Sequence, residues 1–208
     1  IQGLNKVRKA IKGSSTVTAG WTYRYNRISG FFNLSIAKGG DRIYFSADFP
    51  KKSFGGRDIW YIDRGKATDN TRWKMPENAS DSIIPMNSNA RDDYAWCYND
   101  TLLYFASNRG GGYGGLDIYV SRLKTITRES TDTTTGQVNK EELEIWDTPV
   151  HLDSVFNSSS NDYNMIGSPK ICLFMSNRTG GKGSDDIYRP APFVATREPE
   201  LVPDFTID

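Results

Sequence analysis

The sequence predicts an all-β protein assembled from repeated four-stranded sheets, either a β-propeller or a section of one. Three observations predict it. Aromatic residues make up 12% of the 208 residues and 19 are glycine, a pairing expected where strands use Tyr, Phe and Trp and tight turns use Gly. One pattern of apolar strand, glycine-containing loop and Asp-Ile-aromatic strand occurs three times. No 11-residue window carries clear helical periodicity, with only weak stretches at 7–11 and 140–145.

The first copy reads Tyr44-Phe45-Ser46-Ala47-Asp48, a loop ending Gly55-Gly56, then Asp58-Ile59-Trp60. The second runs Tyr104-Phe105-Ala106-Ser107-Asn108-Arg109, through Gly110 to Gly115, into Asp117-Ile118-Tyr119. The third is Leu173-Phe174-Met175-Ser176-Asn177-Arg178, a loop from Thr179 to Gly183, then Asp186-Ile187-Tyr188. Counted from Tyr44, Tyr104 and Leu173, the copies lie 60 and 69 residues apart. Upstream of each sits a matching pair: Asn33-Leu34, Asp93-Tyr94 and Asp162-Tyr163. Trp73-x-x-Pro76 and Trp146-x-x-Pro149 match between copies.

Each unit therefore reads as four short strands: one after the upstream pair, the apolar run, the Asp-Ile-aromatic strand, and one carrying Trp-x-x-Pro. The units span 31–80, 81–153 and 154–190, with Thr125 to Asn139 read as an exposed polar loop. Residues 1–30, containing Trp21 to Tyr25, read as a degenerate blade or ring-closing strand. Residues 191–208, with Pro192, Pro199 and Pro203, read as an extended exit. Closed propellers have about four to eight blades, so three blades call for further or degenerate ones.

A formal net charge of +1 provides no global field for nucleic acid. No run of even twelve apolar residues occurs, so no transmembrane segment is expected. One histidine, His151, excludes metal sites built on two or three imidazoles, and no Ca²⁺ loop of alternating Asp or Asn is present. No metal or cofactor is expected. Cys97 and Cys172 allow one disulfide or two buried thiols. A start at Ile1 without a signal-peptide pattern suggests a processed or excised product.

The block Ser107-Asn108-Arg109-Gly110-Gly111-Gly112-Tyr113-Gly114-Gly115-Leu116-Asp117-Ile118-Tyr119 resembles the TolB-type, WD40-like β-propeller repeat of OmpA-associated envelope proteins. The resemblance covers about 31–190, and Ser176 to Tyr188 matches almost as well. The first copy departs, with Phe49-Pro50 in place of the Arg-Gly start. The resemblance implies a periplasmic or outer-membrane setting, with envelope partners that are peptidoglycan-linked or belong to secretion and gliding machinery of the type IX kind.

The repeated Asp58, Asp117 and Asp186 are expected to accept hydrogen bonds from the glycine loops or to pair with Arg109 and Arg178 in their own blades. Gly114 and Gly115 serve that loop, and Trp73 and Trp146 are blade-packing residues. Gly110-x-Gly112-x-x-Gly115 satisfies the dinucleotide fingerprint literally, but a strand follows it, so no helix N-terminus is offered to a pyrophosphate. His151 lacks a Gly-x-Ser-x-Gly nucleophile elbow anywhere in the chain. Tyr94, Trp96, Tyr98, Tyr163, Asp93 and Asp162 lie on or before the first strands and form a candidate binding rim. The expectation is a non-catalytic protein-interaction scaffold. The alternatives are the propeller of a glycan-active enzyme or peptidase, with Asp93 and Asp162 as carboxylates, and a carbohydrate-binding module.

Overall fold

The computed structural model of the protein describes residues 32–49, 53–64, 77–79, 86–168 and 171–190. The first sheet holds β1 (Phe32–Ala37), β2 (Arg42–Ala47), β3 (Asp58–Asp63) and β4 (Glu77–Asn78), hydrogen-bonded in that order. In the second are β5 (Asp92–Tyr98), β6 (Leu102–Ser107) and β7 (Asp117–Thr131), with β8 (Val138–Trp146) and β9 (Val150–His151) both paired to β7. The third has β10 (Asp162–Gly167), β11 (Cys172–Ser176) and β12 (Asp186–Tyr188). Every pairing is antiparallel. The described residues form an all-β structure, with three antiparallel sheets in sequence order. Trp21, Trp73, Pro76, the segment 1–30 and the exit 191–208 lie outside the described residues.

The sheets stack face to face. Tyr44 and Ile59 of the first meet Cys97, Leu103, Phe105 and Tyr119 of the second. On the opposite face of the second sheet, Leu102, Tyr104, Ile118 and Val120 meet Met165, Cys172 and Phe174 of the third. Successive side chains leave a strand on opposite faces, so β6, buried at all six positions, is covered on both sides. That explains why its first five residues, Leu102 to Ala106, are continuously apolar rather than alternating.

Two expectations change here. The stretch from Thr125 to Asn139 is not a loop: β7 runs on to Thr131 and returns through β8, with Thr125 opposite Glu144 and Ser130 opposite Asn139. Thr125, Ile126, Thr127 and Thr131 are β-branched, and β-branching favours strand whatever the polarity. This hairpin also takes in the weakly helical stretch at 140–145. Trp146 consequently ends β8 and is not on the fourth strand, which is Val150–His151; its ring still packs between sheets, edge-on to Tyr44 at 5.9 Å.

Register also moves by one residue. Each first strand carries a bulge with one residue at positive φ: Asn33 (52°), Tyr94 (59°) and Asn164 (54°). The connection from that bulge to the next strand is one residue shorter in the third unit than in the second, so Asp92, not Asp93, corresponds to Asp162: these two face Ser107 and Ser176.

A seven-residue strap splices each sheet to its predecessor. Met86-Asn87-Ser88-Asn89-Ala90-Arg91-Asp92 lies on β3, and Phe156-Asn157-Ser158-Ser159-Ser160-Asn161-Asp162 lies on β7. The Asn87 side chain accepts from the Ile59 N–H at 2.8 Å and donates to the Ile59 carbonyl at 2.9 Å. Asn157 does the same to Ile118, at 2.7 and 3.0 Å. A primary amide carries the donor and acceptor of a peptide group, so each asparagine stands in for a neighbouring strand. Further along, the Ala90 carbonyl accepts from Gly56 N–H at 3.1 Å and the Ser160 carbonyl from Gly115 N–H at 3.0 Å. Asp92 and Asp162 then donate their N–H groups to Arg57 and Leu116 at 2.7 and 2.6 Å. A Cβ on Gly55 would lie 2.3 Å from the Ala90 oxygen, and one on Gly114 would lie 1.8 Å from the Ser160 oxygen. Close approach, not positive φ, is what demands glycine at these two positions.

Candidate functional site

The hairpin aspartates hold their loops through the backbone. Oδ2 of Asp58 accepts from Phe54 N–H at 2.7 Å, and that of Asp117 from Tyr113 and Gly114 at 2.7 and 3.2 Å. Asp186 takes the Lys182 and Gly183 amides at 2.8 and 3.0 Å. Asp58 is fully buried and its Oδ1 has no hydrogen-bond partner. Burial lifts its carboxyl to about 6 from an ordinary 3.8, against the pull of Phe54 N–H and Asn78. Between those two pH values the folded chain binds more protons at this site than the unfolded chain does, so this group costs stability as pH rises through the window. Asp58→Asn keeps the accepting oxygen and removes the charge. Across pH 4 to 6 the variant is expected to gain on the wild type, to at most ~3 kcal/mol at pH 7, read from urea unfolding at each pH. A constant difference between the two would contradict this.

Arg109 and Arg178 do not pair with the aspartates that follow them. Each reaches back to the aspartate that opens its own unit. The Arg109 guanidinium donates to Asp92 Oδ1 at 2.6 Å, to the Met86 carbonyl at 2.7 Å and to Ser107 Oγ at 2.9 Å. Arg178 donates to Asp162 Oδ1 at 2.6 Å, to the Phe156 carbonyl at 2.6 Å and to Ser176 Oγ at 3.0 Å. Asp92 and Asp162 also take the N–H and Oγ–H of Ser88 and Ser158. Each guanidinium lies about 5 Å from two rings, Phe105 and Tyr119 or Phe174 and Tyr188, a planar-cation contact that lysine cannot reproduce. Asn108 and Asn177 accept from the N–H of the residue before the aspartate, at 2.7 and 2.8 Å. All three residues of Ser-Asn-Arg are thus used. In the first unit Phe49 takes the arginine's place and packs on Trp60 at 4.3 Å.

The predicted rim divides. Tyr94 and Tyr163 come together, ring centroids 4.7 Å apart, and line a cavity of about 300 Å³ with Arg91, Asn108, Asn161, Asn177 and Asp185. The Tyr163 hydroxyl donates to Asp185 at 2.7 Å; partial burial and that carboxylate push its ionisation upward. The αL backbone at Tyr94, uncommon for a bulky residue, aims its ring there through the bulge. Trp96 and Tyr98 instead pack against the core between the second and third sheets, where Trp96 Nε1 donates to the Gly167 carbonyl at 3.0 Å. Their strand alternates across a face that another sheet covers.

Asp93 and Asp162 are buried rather than on the rim. Asp162 belongs to the Arg178 lock. Asp93 accepts from Arg57, from Arg91 at 2.7 and 3.1 Å, from Tyr94 N–H at 2.8 Å and from Asn33 at 3.1 Å. Burial works to raise its pKa, but Arg91 and the other partners more than cancel that and hold it below the usual range. Such a group does not carry a proton at neutral pH, as a general acid must. His151 stands beside the second hairpin, 3.5 Å from Asp117 and with its ring 4.7 Å from Tyr113. Cys97 and Cys172 are buried free thiols in different sheets, and burial pushes Cys97 up to about 12. Among the described residues no group of three His, Cys, Asp or Glu is placed to hold a metal, and no helix is long and apolar enough to cross a membrane.

The sequence reading passes over Arg91, Asn161, Asp185 and both straps. The straps have a readable signal, the shared pattern of apolar residue, Asn-Ser, three residues and Asp at 86–92 and 156–162. No family model matches the chain and no curated protein is similar to it. Among solved structures it is similar to Trypanosoma rangeli sialidase in complex with the inhibitor DANA, at 12% identity and a TM-score of 0.34, over 74% of this chain and 30% of that one. The chain thus spans under a third of that protein's length, and the likeness is too distant to support an argument.

Proposed function

We propose that the chain is a section of a WD40-like β-propeller acting as a non-catalytic protein-interaction scaffold, and that its setting is the bacterial envelope. The envelope setting rests on the Ser107 to Tyr119 block and its third-unit counterpart. The observation that carries the binding reading is the contrast at the junction of the second and third sheets. There the buried Asp93 and Asp162 are consumed by arginines, and Asp185, the carboxylate that lines the cavity, accepts from the Tyr163 hydroxyl. The two tyrosine rings and the side chains of Asn108, Asn161 and Asn177 line the space a partner would enter. Aromatic rings held on rigid strands lose little entropy on binding. A hydrolytic site would need two facing carboxylates free to act on a glycosidic bond.

The test pairs two measurements on the full chain. A photo-crosslinker at Asn177 is expected to capture a defined envelope protein from an outer-membrane extract, and Tyr163→Ser is expected to reduce that yield at least tenfold. Release of reducing sugar from peptidoglycan by the chain, lost in Asp93→Asn, would overturn the reading.

A further inference from the structure

The third sheet presents to solvent the face that the first two have covered. Ile59 and Ile118 are 0% exposed, whereas Ile187 at the same place is 73% exposed; Tyr44 and Tyr104 are 0% and 1%, but Leu173 is 38%. In the first two sheets the element lying there begins with the strap, whose asparagine reads both backbone groups of the isoleucine.

The third sheet keeps the receiving half of that joint. Gly183 stands where Gly55 and Gly114 stand. Those two are glycine because a strap carbonyl would lie 2.3 or 1.8 Å from any Cβ. A Cβ on Gly183 would meet nothing nearer than 3.5 Å, and its backbone is not in the left-handed region. Nothing described within the third sheet requires glycine there, but a docked strap would. The same hairpin offers the Ile187 peptide groups at the position read by Asn87 and Asn157.

We propose that this face is a docking site for one further sheet of the same repeat, led by an apolar-Asn-Ser-x-x-x-Asp strap. Its asparagine would bond to Ile187 N–H and C=O, its apolar residue would cover Ile187 and Leu173, and its fifth residue would press on Gly183. The probe is a nine-residue peptide of the chain's own strap, Ser154 to Asp162, titrated into the intact protein. Amide exchange at Ile187 is expected to slow at least tenfold at saturation. A peptide carrying Asn157→Asp, which can accept but not donate, is expected to have no effect. The chain variant Ile187→Asp alters an exposed side chain; it is expected to unfold at the wild-type midpoint and to lose the response. No slowing at millimolar peptide, or equal slowing by both peptides, would overturn the proposal.

Discussion

Replacing Asn157 with alanine is expected to cost about 3–5 kcal/mol of folding stability, because two to three buried backbone groups lose their partners at about 1–3 kcal/mol each. The side chain accepts from Ile118 N–H and donates to the carbonyls of Ile118 and Leu152, at 2.7, 3.0 and 2.8 Å. Ile118 is fully buried, so water cannot repair the loss without opening the joint between the second and third sheets. Asn157→Asp separates the roles. It keeps the acceptor and loses both donors, and adds a charge near Asp117. Urea unfolding should rank wild type above either variant by several kcal/mol. An effect under 1 kcal/mol in both would mean that the amide does not substitute for a strand. Asn87→Ala, whose contacts on Ile59 are the same two, should behave alike at the first joint.

Asp92→Ala should cost a similar amount, about 3–5 kcal/mol, for a different reason. Asp92 is fully buried and accepts from Arg109 at 2.6 Å and from both groups of Ser88. Removing one member of a buried ion pair leaves the other charge without compensation. The double variant Asp92→Ala with Arg109→Met should recover part of the loss, since the guanidinium is then no longer stranded between Phe105 and Tyr119. The first unit supports that expectation: Phe49 occupies the arginine's position, packed on Phe45 and Trp60, and the sequence has Phe31 at the position corresponding to Asp92. Additive losses in the double variant, with no recovery, would mean that the two side chains act independently.

The repeated hairpin is legible in the sequence because each part of it is local. Asp117 takes amides three and four residues back, and spacing alone conveys such a contact. The arginine's partner is not local. Asp117 lies eight residues after Arg109, whereas Asp92 lies seventeen before it and is brought near only by the pairing of β5 with β6. Sequence proximity favours the wrong carboxylate. The one-residue shift between Asp93 and Asp162 has a similar origin, since a bulge followed by a turn of different length is invisible to a fixed offset. The straps are rich in Ser and Asn, a composition that reads as loop, and the six residues before each aspartate form no strand. Their order comes from asparagine side chains imitating backbone together with a few isolated backbone bonds. Of the rim, Tyr94 and Tyr163 are found by their place before the first strands. Arg91 and Asp185 reach the cavity from a strap and a hairpin loop, which no strand-based count would place together.

The strap, and not the hairpin alone, makes each of the second and third sheets fit its predecessor. Gly114 and Gly183 occupy the same position in successive hairpins, one beneath a strap carbonyl and one where an added Cβ would meet nothing nearer than 3.5 Å. Thermal unfolding of Gly114→Ala and Gly183→Ala tests the claim directly. A methyl pressed on the Ser160 carbonyl should lower stability by about 1–3 kcal/mol, while the same methyl at Gly183 should leave the midpoint unchanged. Equal loss in both, or tolerance of both, would contradict it.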